Sequence, residues 1–122
     1  MHKILLIEDD ATMLSLLGTL LEFEGYQVAL LNGEADAENI LQKLRGEKPR
    51  LILLDVHLPG VSGFDLMRKM RTDEVLKSTK VIMSSGMDLS LECRQAGADG
   101  FILKPYMPEE LVEKIRETIE NE

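Results

Sequence analysis

Five short apolar runs divide this chain at near-regular intervals, and between them lie stretches whose apolar residues recur at helical spacing. The runs fall near residues 3–8, 26–31, 51–55, 80–84 and 100–103 and read KILLIE, YQVALL, LILLD, KVIMS and GFIL. Short aliphatic, β-branched runs suit strands, and the helix-like stretch after each makes a βα unit repeated five times. Such alternation leaves few architectures: the strands lie parallel in one sheet and each helix crosses over it.

The intervening segments carry matching signals. Over about 11–24, Met13, Leu14, Leu17, Leu20 and Leu21 form one buried stripe, and Gly25 is placed to end the helix. Over about 34–46, Ala37, Ile40, Leu41 and Leu44 share a face, with Gly46 and Pro49 marking the exit. The last segment, about 108–121, opens on Pro108, Glu109 and Glu110, which suit a first helical turn, and buries Leu111, Val112, Ile115 and Ile119.

The third run, LILL, is apolar at every position, as expected of a central strand covered on both faces. Right-handed crossovers and a reversal of winding after the first strand then give a flavodoxin-like, doubly wound α/β fold, (βα)5, with strand order 2-1-3-4-5. Ligands of open parallel sheets bind in the crevice beyond the carboxyl ends of the strands, here between the first and third.

At 122 residues and 44% hydrophobic, the chain suits one compact domain over 1–122, with no room for an output domain. Its net charge of −8 repels nucleic acid phosphates, which argues against direct DNA binding and for a protein partner. No stretch approaches the roughly 20 apolar residues of a membrane span, and acids follow the first apolar run too closely for a secretory signal. A cytoplasmic location is therefore expected. The single cysteine, Cys93, excludes an internal disulfide and reads as a small buried residue on a helix, and Met67, Met70 and Met83 read as core filling.

Glu8, Asp9, Asp55, Ser85 and Lys104 each stand where an apolar run ends, so the fold would gather them at the crevice. Carboxylates collect a hard divalent cation, whereas a lysine and a hydroxyl can hold phosphoryl oxygens. Together they point to metal-assisted phosphoryl chemistry. Three consecutive acids also suit a helix N-terminus, and Asp10 is expected to cap the first helix. Ser84 competes with Ser85, because adjacent strand side chains point to opposite faces; the register of VIM favours Ser85.

With IEDD ending the first strand, DVHLPGVSGFDL at the third, then VIMSSG and ADGFILKPY, the whole chain resembles a response-regulator receiver domain of two-component signalling. The resemblance implies that Asp55 accepts a phosphoryl group from a histidine kinase or histidine phosphotransfer protein, with Mg2+ or Mn2+ as cofactor. It implies a metal set of Glu8, through a water, Asp9, Asp55 and the backbone carbonyl of His57. Ser85 would hydrogen-bond the phosphoryl group, Lys104 would pair with one of its oxygens, and Lys104–Pro105 becomes a candidate cis bond. Phe101 lies where the family carries a switch aromatic, and a packed strand aromatic is an equal alternative. The domain would then be a phosphorylation-activated switch and not an enzyme, assisting its own phosphorylation and dephosphorylation. It would regulate a downstream protein or effector domain, with homodimerisation on phosphorylation left open.

Pro59 and Gly60 fit a tight reversal after Asp55, and Gly63 fits the next helix entry, both keeping bulk away from a phosphodonor. Between Ser85 and Gly97 the chain is short for the family, which puts its usual signalling face, the fourth helix, fifth strand and fifth helix, in doubt. Met87 stands at a position that the resemblance links to hydrolysis of the acyl phosphate, and its apolar side chain cannot orient water, so slow self-dephosphorylation is expected. Two alternatives compete. Glu8, Asp10 and Thr12 nearly imitate the D-x-D-x-T motif of a haloacid-dehalogenase-type phosphatase, with glutamate wrongly at the nucleophile. A phosphorylation-independent pseudo-receiver would typically have lost acids or the lysine that this chain keeps.

Overall fold

The computed structural model describes residues 2–120, an α/β sandwich of one parallel sheet between two helical layers. In chain order the elements are β1 (Lys3–Glu8), α1 (Ala11–Phe23), β2 (Gln27–Asn32), α2 (Ala37–Glu47), β3 (Leu51–Asp55), α3 (Gly63–Arg71), β4 (Lys80–Ser85), α4 (Ser90–Gln95), β5 (Gly100–Leu103) and α5 (Pro108–Glu120). The strand order is β2-β1-β3-β4-β5, all pairs parallel, as the winding argument requires. Among the described residues, no helix is long and apolar enough to cross a membrane.

Alternation along the strands splits the core in two. Leu5, Ile7, Ile52, Leu54, Val81 and Met83 face α2, α3 and α4, packing with Ile40, Leu44, Met67, Met70 and Cys93. Ile4, Leu6, Leu51, Leu53 and Ile82 face α1 and α5, packing with Leu17, Leu21, Leu111 and Ile115. All five β3 residues are buried, the consequence of a strand covered on both sides. Cys93 is fully buried, as its apolar reading requires, and burial pushes its thiol up to about 11.

Helix ends follow local chemistry. Asp10 caps α1 by accepting the Met13 N–H at 3.1 Å, the role expected of the spare acid. At the other end Gly25 takes φ +97°, and the Tyr26 and Gly25 N–H groups close onto Leu21 O and Glu22 O. The N–H of Met107 is satisfied by the Glu110 carboxylate at 3.2 Å, a reach-back that sets the start of α5.

Several boundaries differ from expectation. β2 is displaced by one residue, and α2 begins at Ala37 because Asp36 accepts the Asn39 N–H and so defines the first turn three residues later than expected. Gly46 does not end α2: the helix runs through it to Glu47, and Lys48 takes the left-handed conformation at φ 48° before Pro49. Residue 121 of the expected last helix lies outside the described residues. α4 has only six residues, so the shortness of the segment after Ser85 falls on that helix. Gly60 and Gly63 serve close backbone approach: a Cβ on Gly63 would stand 2.5 Å from Asp55 O, and one on Gly60 2.2 Å from Ala35 O.

Candidate functional site

The sheet carries two acids to the same place for the same reason. β1 and β3 are neighbours, and on the face where Ile4 and Leu6, and Leu51 and Leu53, are packed by α1 and α5, the next positions are Glu8 and Asp55. Both sit at the strand ends, 5% and 6% exposed, so neither charge is solvated enough to stand alone. Lys104, just past β5, supplies the counter-charge. Its Nζ donates to Asp55 Oδ2 at 2.8 Å and to Glu8 Oε2 at 3.0 Å. Its backbone N–H donates to Ser85 O at 2.8 Å, fastening the end of β4, and its bond to Pro105 is cis.

The remaining carboxylate oxygens are held by backbone. Glu8 Oε1 accepts the N–H groups of Asp9 and Asp10 at 3.1 and 3.3 Å, and Asp55 Oδ1 accepts that of His57 at 3.1 Å. Burial first, and Asp9 second, push Glu8 above the usual carboxylate range against the pull of Lys104. Burial alone would lower Lys104, but hydrogen bonds to Asp55 and Glu8 outweigh it and raise the ammonium above its ordinary value.

The exposed Asp9 completes a group with Glu8 and Asp55 in which one carboxylate oxygen from each lies within 4.8 Å of the others. Three acids against one lysine leave an excess of negative charge, two of the carboxylates being buried. An oxygen-only donor set with uncompensated charge fits a hard divalent cation, and Glu8, Asp9 and Asp55 are the residues that would hold it. His57 is exposed.

Ser84 and Ser85 are both buried at the end of β4. Ser84 pairs with Asp55 in the ladder and follows Ile82 on the face shared with Glu8 and Asp55, whereas Ser85 follows Met83 on the opposite face. Ser85 Oγ accepts the Met87 N–H at 3.1 Å, which leaves its own proton to donate. Phe101 is half-buried against the α2–α4 core and pairs with Met83. One residue escaped the sequence: Tyr106, packed against the core shared with α1 and α5, has a buried hydroxyl without a hydrogen-bond partner among the described residues. Burial pushes that phenol up to about 12, and it feels the charges of Lys104, Glu8 and Asp55. An aromatic two residues past Lys104 carries no signal in sequence, because its surroundings come from distant helices.

Comparison with known proteins places this site in a family. The model of the response regulator receiver domain matches residues 4–116. The chain is 35% identical over 118 residues to the DNA-binding response regulator MtrA of Mycolicibacterium paratuberculosis, covering 94% of this chain and 50% of the relative. It is 34% identical over 119 residues to the phosphate regulon transcriptional regulatory protein PhoB of Pseudomonas aeruginosa, covering 93% and 49%. It thus spans about half the length of these two relatives. Among solved structures, a CheY-like response regulator receiver domain protein from Methanospirillum hungatei JF-1 superposes with a TM-score of 0.85 at 35% identity, covering 98% of this chain and 94% of the other. The receiver domain of the sensor histidine kinase PA1611 from Pseudomonas aeruginosa, which has a magnesium ion coordinated in its active site cleft, gives 0.83 at 26% identity, covering 98% of each. On the strength of the family model, the curated relatives and the shared fold, the chain belongs to the response regulator receiver domain family.

Proposed function

We propose that this domain is a phosphorylation-activated switch in which Asp55 takes the phosphoryl group. The observation that carries the proposal is the Lys104 ammonium bridging Asp55 and Glu8 inside a three-acid cluster. An Asp55 oxygen attacks phosphorus. The bond from phosphorus to the donor's phosphohistidine nitrogen breaks, and the nitrogen leaves with the electron pair. Glu8, Asp9, Asp55 and the His57 carbonyl would hold a divalent cation such as magnesium, which a related receiver domain has coordinated in its active site cleft, and the ion would supply neutralisation of charge on the phosphoryl oxygens. Lys104 contacts one of those oxygens while keeping its hold on Glu8, and a serine hydroxyl of β4 donates to another, with Ser85 the assigned residue.

The donor is a histidine kinase or histidine phosphotransfer protein, and the domain assists the transfer without turning over a substrate. The switch is read by a downstream protein or an effector domain, as the DNA-binding relatives suggest. A phosphatase built on Glu8 is not favoured, since the motif it would need has aspartate and not glutamate at the nucleophile, and the receiver-domain model matches residues 4–116.

Borohydride reduction after incubation with acetyl phosphate and Mg2+ locates the acceptor, because an aspartyl phosphate is reduced to homoserine. Homoserine at position 55 is the expected product, and homoserine at another acid would move the acceptor there. In the same assay Ser85→Ala is expected to slow phosphorylation more than Ser84→Ala; the reverse order would give the role to the serine that shares the face of Asp55.

A further inference from the structure

The acceptor and the carbonyl assigned to the metal belong to one loop, which leaves β3 at Asp55 and enters α3 at Gly63. Its base is closed by the Gly63 N–H donating to Val56 O at 2.8 Å and by an antiparallel bridge between His57 and Ser62. Its tip is braced from outside. The Gly60 N–H donates to Gly33 O at 3.2 Å, and the Gly33 N–H donates to Glu8 O at 3.3 Å. The loop after β2 therefore links the acid-bearing end of β1 to the tip of the acceptor loop through its backbone.

The fit between the two loops is close. A Cβ on Gly60 would stand 2.2 Å from Ala35 O and 2.6 Å from Glu34 O, both backbone atoms that cannot swing away. A Cβ on Gly33 would stand 2.5 Å from Leu58 Cδ2, the mobile end of a side chain. Admitting the first needs the loops to part by about 1 Å, a displacement large enough to spoil a positioned site. Admitting the second needs Leu58, itself a residue of the acceptor loop, to move, a smaller disturbance of the same loop.

We infer that Gly33 and Gly60 are positioning residues: the β2–α2 loop braces the acceptor loop and fixes the His57 carbonyl relative to Glu8 and Asp55. Magnesium tolerates little departure from octahedral geometry, so a ligand set drawn from two strands and a loop depends on what holds the loop. Supporting contacts outside a metal's own ligands commonly govern affinity by about 10- to 100-fold. The inference rests on the proposed metal set, but it is read through metal binding and not through phosphorylation.

Mg2+ titration by calorimetry tests it on the full chain, comparing the parent with Gly60→Ala, Gly33→Ala, Leu58→Ala and Gly33→Ala/Leu58→Ala, each checked for cooperative thermal unfolding. Gly60→Ala is expected to weaken Mg2+ binding about 10-fold or more. Gly33→Ala should weaken it less, and adding Leu58→Ala should return the affinity to within about twofold of Leu58→Ala alone. A folded Gly60→Ala that binds Mg2+ as the parent does would overturn the inference. Should Gly60→Ala fail to fold, the Gly33 pair decides: no loss in Gly33→Ala, or no recovery with Leu58→Ala, overturns it equally. A parent that binds Mg2+ but accepts no phosphoryl group would sink the proposed function and leave the brace to be judged on affinity alone. A parent that binds no Mg2+ removes both.

Discussion

Lys104 holds Asp55 and Glu8 together, and its one positive charge falls short of the three acids it faces. The metal-free site is therefore held under repulsion. Asp55→Asn relieves one negative charge and keeps an oxygen for the Lys104 ammonium, so without metal the variant should be more stable by about 1 kcal/mol. Mg2+ should reverse the order: at 100 times its Kd a ligand stabilises the folded state by about 2.7 kcal/mol, and the variant lacks one of the carboxylates. Thermal melts with and without Mg2+ check this, and a variant that melts below the parent in chelator would show that the lysine fully neutralises the cluster. The acids and Lys104 were legible in sequence because each ends a strand, and the sheet converts strand ends into neighbours. Tyr106, Gly33 and the approach of Gly60 to the β2–α2 loop were not, although Gly60 was read as part of a tight turn, since an orphaned hydroxyl or a 2.2 Å approach depends on what a remote segment packs against them.

At the scale of elements, α2 carries a glycine in its last turn that nothing requires: a Cβ on Gly46 would meet nothing within 4 Å. Gly46→Ala should stabilise the fold by about 0.5–1 kcal/mol, measured by urea unfolding, and a loss instead would mean that the helix end needs the glycine backbone. The same helix is tied to the segment after α3. Arg45 Nε donates to Asp73 Oδ2 at 2.7 Å, while Asp73 Oδ1 accepts the N–H groups of Val75 and Leu76 at 2.9 and 3.2 Å. The Arg45 hydrogen bond, helped by those backbone donors, holds the Asp73 carboxyl below its ordinary value of 3.8. A depressed acid releases its proton more readily folded than unfolded, so its contribution is complete above the ordinary value and lost as pH falls through the depressed one. Asp73→Asn should be less stable than the parent at neutral pH, with the gap closing in acid below 3.8; a gap independent of pH would point to packing. Hydrophobic periodicity revealed which segments are helices, and Gly25 and Asp10 mark true ends. It misplaced the end of α2, because Gly46 and Lys48 are close rivals and the left-handed position fell to the residue just before Pro49.

Over the whole molecule, switching requires that two arrangements of one fold differ in how well they hold a phosphoryl group. On the proposed reading, phosphorylation replaces the single charge of the Asp55 carboxylate with a phosphoryl group carrying roughly two, a net gain of about one negative charge, and presents three terminal oxygens; the favoured arrangement is the one in which Lys104 and a β4 hydroxyl reach them. Lys104 is attached to both halves of the device, through Nζ to the acids and through its backbone N–H to the end of β4. How long the signal lasts depends on water. Met87 is 62% exposed just past Ser85 and has no group to orient a water molecule, so the phosphorylated domain should decay slowly without a partner. Met87→Glu is expected to speed that decay, read as loss of phosphoprotein over time, and a fast parent unaffected by the change would assign hydrolysis elsewhere. Topology and site location were readable from alternating elements alone, whereas the rest of the switch depends on a bound phosphoryl group that sequence does not depict. The most direct measurement is intact-protein mass after incubation with acetyl phosphate, with and without Mg2+, for the parent and for Asp55→Asn. A Mg2+-dependent gain of one phosphoryl group in the parent and none in the variant is the expected result; an equal gain in Asp55→Asn, or none in a folded parent that binds Mg2+, would contradict it.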